Sequence, residues 1–173
     1  MTTNSVQIDV AADIRLELDN GTFSQTFTPV RQIGEVDLVL EESNDLKVDV
    51  VPYRVKTRQG SRGCFSYLVT TSILVRKKFP QSVLDSAGRI PLAQTDLYVT
   101  LLQEINDFFL PSQETGASGR KLTNVPEATW QETEEKNEDG IIGPYSKYLN
   151  EEQQFIGIVR VTYEVSRIPV LLP

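Results

Sequence analysis

The stretch from Leu46 to Phe79, LKVDVVPYRVKTRQGSRGCFSYLVTTSILVRKKF, constrains this chain more than any other part of it. Leu46, Val48 and Val50 alternate with Lys47 and Asp49, which gives an extended segment one apolar face. Phe65, Tyr67, Val69, Thr71, Ile73 and Val75 alternate in the same way with Ser66, Thr70, Ser72 and Arg76. Between these runs lies a polar stretch with Arg54, Lys56, Arg58, Gly60, Arg62 and Gly63. The spacing predicts a long β-hairpin with an oversized, positively charged connection over residues 54–63.

The rest of the chain reads as elements that pack around that hairpin. Val10, Ala11, Ile14 and Leu18 share one helical stripe within residues 5–20, with Ser5 placed as N-cap and Asn20-Gly21 as the stop. Phe23 to Arg31 reads as a strand, and Pro29 puts it at a sheet edge. A second helix is expected from Thr95 or Asp96 to Pro111. Its main stripe is Leu97, Leu101, Ile105 and Phe108, widened by Leu102 and Phe109. A short strand is expected around 128–133, an acidic turn over 134–143, and a helical turn within 145–152. In the last strand, from Gln154 to Ser166, Phe155, Gly157, Val159, Val161, Tyr163 and Val165 oppose Arg160, Thr162 and Glu164. The order α-β-β-β-α-β-β implies an α+β fold. Its sheet is mainly antiparallel and includes the long hairpin, with two helices packed on one face. At 173 residues one domain over 1–173 is expected, ending in a short apolar tail at 167–173.

Composition restricts chemistry more than it restricts fold. The chain has no histidine, so neither a Ser-His-Asp nor a Cys-His nucleophile can be assembled, nor a His-based zinc site. One cysteine allows no internal disulfide, which suits a reducing compartment. The net charge of -7 gives no chain-wide basic footprint for nucleic acid. The N-terminus has neither a basic region nor a continuous apolar run, and no segment approaches a membrane span, so neither export nor membrane insertion is expected.

The candidate site residues are charged rather than catalytic. Arg54, Lys56, Arg58 and Arg62 have the charge to meet nucleic-acid phosphates or an acidic protein surface. No aromatics interleave with them as in a base-stacking platform, so a protein contact is the expectation, beside the plain alternative of a solvated loop. Glu132, Glu134, Glu135, Glu138 and Asp139 offer carboxylates but miss the calcium-loop spacing. A solvated loop is the ordinary reading there. Glu134, Glu135, Glu138 and Asp139 are candidate contacts to a partner. Gly116 to Lys121 lacks phosphate-loop spacing and reads as a linker. No catalytic residue, cofactor or metal is expected, and the chain reads as a non-enzymatic protein.

The order of several short motifs resembles a family of tailed-phage virion morphogenesis proteins. Asn20-Gly21-Thr22-Phe23-Ser24 is followed by T-F-x-P-V-R at 26–31 and by D-L-K-V-D-V-V-P at 45–52. The run S-R-G-x-x-x-Y…I-L-V-R-K-K at 61–78 is similar to that family's long strand, and L-L-Q-E-I-N-D-F-F to its helix. Residues 148–165 resemble its closing strand, with Gly157 where a small hydroxyl residue is usual. The resemblance covers most of the chain. It implies a tail-terminator-like fold and a ring-forming structural subunit, most simply a homohexamer, in the virion neck. Its partners would be the tail tube protein and head-tail connector proteins, with genomic DNA passing through the lumen without specific binding. Another head-tail joining or tail-completion protein, or a small assembly module, remains the alternative.

Overall fold

The computed structural model describes residues 5–33, 38–40, 45–59, 65–111, 118–132 and 140–167. Their elements in chain order are α1 (Val6–Asn20), β1 (Pro29–Arg31), β2 (Lys47–Gln59), β3 (Phe65–Lys78), α2 (Leu92–Phe109), β4 (Ala128–Trp130), β5 (Gly140–Ile142), α3 (Ser146–Glu151) and β6 (Gln154–Arg167). A single 3-10 turn, Gln81–Val83, lies between β3 and α2.

The fold is α+β, built on a six-stranded mixed sheet of order β1-β2-β3-β6-β4, with β5 also paired to β6. The hairpin β2–β3 and the ladder β3–β6 are antiparallel and run almost the full length of their strands. β1 is the exception to antiparallel pairing. It lies parallel to β2 at the edge, with Pro29 opposite Val48. Proline has no N–H to donate, so an edge is where it fits. The expected strand from Phe23 is thus reduced to three residues.

The core lies on one side of this sheet. Its strand residues are Val48, Val50, Val69, Ile73, Val75, Phe155, Val159, Val161, Tyr163 and Val165, all from one face, and they meet Val10, Ile14 and Leu18 of α1 and Leu101, Leu102 and Ile105 of α2. Burying such side chains stabilises by roughly 1.5–3 kcal/mol each. Gly157 lets α2 approach β6: a Cβ there would stand 2.3 Å from Leu102 Cδ1.

Three expectations are corrected. α2 begins at Leu92, and its inward stripe is Tyr98, Leu101, Leu102, Ile105 and Phe109. Leu97 is 42% exposed, because Tyr98 takes the inward place with its ring against Phe79 and Phe155. Phe108 sits at the margin against Phe23. Ser5 caps α1 through its backbone carbonyl, which accepts from Ile8 and Asp9 N–H, and not through its hydroxyl. Finally, the segment expected to be a turn before Gly143 contains β5, which pairs with residues 158–160 of β6. The apolar tail 168–173 lies outside the described residues.

Candidate functional site

The face of the sheet turned away from the helices is the most distinctive surface of this chain. A single irregularity decides what it displays. Pro52 pairs with Thr71, but Arg54, not Tyr53, pairs with Thr70. Tyr53 is therefore the extra residue of a β-bulge. With regular pairing Arg54 would lie opposite Val69 and point into the core. One extra residue reverses the alternation, so Val55 packs on the core and Arg54, Lys56 and Arg58 face away from the helices.

This corrects the expected hairpin connection. Arg54, Lys56 and Arg58 are strand residues, since pairing continues to Gln59 opposite Phe65. Extended backbone persists there because the ladder to β3 continues and Val55 packs on the core. Arg62 lies outside the described residues, as do Glu134, Glu135, Glu138 and Asp139.

Register places further charged groups on the same face. Lys47 pairs with Arg76, Ser72 with Arg160, and Leu68 with Glu164. Arg76 donates to Asp49 at 2.5 Å, with both side chains buried, and Gln32 Nε2 donates to the other Asp49 oxygen at 3.2 Å. Burying a carboxylate is tolerable only with such partners. Arg160 lies 4.0 Å from the Tyr53 ring centroid, and its Nε donates to Ser72 Oγ at 3.3 Å. Thr70 and Thr162 share a hydroxyl hydrogen bond of 2.9 Å, and the Ser66 hydroxyl donates to Glu164. Long side chains thus lie over a strand floor in which Thr70, Ser72 and Thr162 are buried beside Leu68, Leu74 and Ile156. Tyr53 is an aromatic within the basic cluster, contrary to the sequence expectation. Its ring is already stacked against Arg160, so it is no vacant base platform.

The outer edge of β2 adds a second feature. Among the described residues β1 pairs with it only at 48–50, so Val51 to Gln59 has no outer strand partner. Pro52, the bulge and the basic side chains guard this edge against indiscriminate pairing.

Other polar groups are committed to the fold. Asp13 accepts from the N–H groups of Asn124 and Val125 and from Asn124 Nδ2. Glu17 accepts from Arg120 Nε at 2.7 Å and from Thr123 Oγ1 at 2.6 Å. Arg120, from the segment weighed as a phosphate cradle, also lies over the Phe108 ring. Tyr163 donates to the Arg120 carbonyl at 2.8 Å. Burial, and secondarily the Glu17 carboxylate, push the Tyr163 hydroxyl well above its ordinary pKa. This cluster ties α1 to residues 120–125. Nothing in the sequence singles out Asp13, because its partners lie 111 and 112 positions away.

Among the described residues no group of His, Cys, Asp and Glu is arranged to hold a metal. Among them, too, no helix is long and apolar enough to cross a membrane. No protein-family model matches the chain, and no curated protein matches it significantly.

Proposed function

We propose that this chain is a structural virion protein of a tailed phage, a ring-forming neck or tail-terminator-like subunit that joins the tail tube to the head. The observation that carries the reading is the β2–β3 hairpin. Its strands of 13 and 14 residues keep pairing to the outer end, and the β2 edge there has no partner among the described residues. A lone domain gains little from an open β2 edge whose outermost residues Thr57, Arg58 and Gln59 are exposed. A neighbouring subunit docked on that edge gives those residues a use. The ordered sequence motifs supply the particular setting in the phage neck. In that setting the chain acts without catalysis or cofactor. Its partners are copies of itself, most simply six in a ring, together with the tail tube and connector proteins. Its net charge of -7 lets DNA pass without being gripped.

The test is removal of the gene from the phage that encodes it. Full heads and tails that do not join, rescued by supplying the chain from a plasmid, are the expected result. Normal infectious particles made without the chain would overturn the proposal.

A further inference from the structure

We infer that copies of this chain associate head to tail, with the basic helix-free sheet face of one copy seated on the acidic helix layer of the next. This deepens the ring reading and rests on it only for closure of the ring. The contact itself is argued from the way charge is sorted in the molecule.

On the sheet side, Arg54, Lys56 and Arg58 of β2 join Lys47 and the half-buried Arg160. Asp49 and Glu164 share that face, Asp49 paired with the buried Arg76 and Glu164 accepting from Ser66. The helix side has the opposite sign. α2 carries Asp96, Glu104 and Asp107 and no basic residue. α1 carries Asp9 and Asp19 beyond its two buried carboxylates, and its single basic residue, Arg15, is paired with Asp19. The helices cover one face of the sheet and Lys47, Arg54, Lys56 and Arg58 lie on the other, so the two charges lie on opposite sides of the subunit.

That arrangement selects the symmetry of association. A two-fold contact buries the same patch on both partners and would set basic face against basic face. A head-to-tail contact joins unlike patches and turns the repulsion into attraction. Both surfaces also offer apolar groups for a contact centre. Tyr53 and Val30 are each 47% exposed on the sheet side, and Leu97 and Val99 are 42% and 40% exposed on α2. Duplex nucleic acid fits less well, because the rest of the chain would repel a polyanion.

The test uses the full chain and two charge-reversed forms, Lys56→Glu with Arg58→Glu on the sheet side and Asp96→Lys with Asp107→Lys on α2. Sedimentation velocity at low ionic strength and high protein concentration reads association. Wild type should form oligomers that salt dissociates. Each variant alone should associate at least tenfold more weakly. An equimolar mixture should recover association, since reversed face then meets reversed face and native meets native. Should a reversal lower the melting temperature, Lys56→Gln with Arg58→Gln carries the same expectation with a smaller loss. A monomeric wild type, or a mixture that stays dissociated, overturns the inference. So does salt-sensitive binding of a short DNA duplex by wild type that Lys56→Glu with Arg58→Glu abolishes. Open filaments with full mixture rescue would uphold this contact and count against the neck ring. Rings that both variants form normally would do the reverse.

Discussion

Val50, Ile73 and Val159 form one row across the central strands, and Val51, Ser72 and Arg160 form the next. The first row points to the helices and is fully buried. The second points away, and there an arginine lies over a tyrosine and donates to a serine. Strands and backbone are shared, yet the two faces answer different demands. On the helix side, apolar area leaves water and the contribution scales with that area. On the other side Leu68, Leu74 and Ile156 are buried beside hydrogen-bonded and stacked polar groups, whose net contribution is small but whose geometry is specific. The helix side therefore carries most of the stability. The other is free to carry recognition, because its outer charges can change at little cost to the fold.

The comparison is broken most severely from the helix side. Leu101→Ala should cost about 2–5 kcal/mol, since Leu101 is fully buried between α2 and the sheet. A urea midpoint equal to wild type would show that α2 does not carry the core. Next is Asp13→Ala. It leaves three N–H donors near Asn124 and Val125 without their acceptor, which should cost about 1–3 kcal/mol. Unchanged hydrogen exchange at Val125 in that variant would contradict the clamp.

Tyr163 gives a smaller effect with a defined pH dependence. Its pKa is raised in the folded state, chiefly by burial, whereas an unfolded tyrosine ionises near pH ~10. Folded and unfolded chains both hold the proton below that pH, so the contribution is complete there. It declines as pH rises above it, because the unfolded chain ionises first. Tyr163→Phe should remove that part of the alkaline slope, Tyr98 leaving a remainder through its own raised pKa. The variant also loses the hydrogen bond to the Arg120 carbonyl, at about 0.5–1.5 kcal/mol. Alkaline unfolding curves of the two proteins that superimpose would refute this. The smallest stability effect belongs to the helix-free face: Lys56→Glu with Arg58→Glu should shift stability by no more than about 0.5 kcal/mol. A large drop in melting temperature would mean that these residues hold the fold after all.

Much of the helix side was legible in the sequence, for reasons that residues make plain. Alternation from Phe65 to Val75 and from Phe155 to Val165 gave the central strands and their apolar face. Pro29 gave the edge, and Val10, Ala11, Ile14 and Leu18 gave α1. Leu101, Leu102, Ile105 and Phe109 of the expected α2 stripe are buried, but Tyr98 stands inward in place of Leu97, because both are apolar enough to do so and only the rings of Phe79 and Phe155 decide between them. β5 was hidden beside an acidic run and consists of three residues. The helix-free face was far less legible. Arg54, Lys56 and Arg58 stood out as a basic cluster, but a bulge is a mismatch between two strands and cannot be seen in one of them. Without it, the cluster could not be aligned with Arg76 and Arg160.

Cryo-electron microscopy of assembled virions tests the central claim most directly. The account predicts a closed ring of this chain at the head-proximal end of the tail, with Lys56 and Arg58 of each copy lying against α2 of its neighbour. A neck without this chain, or copies whose sheet faces meet each other across a two-fold axis, would contradict it.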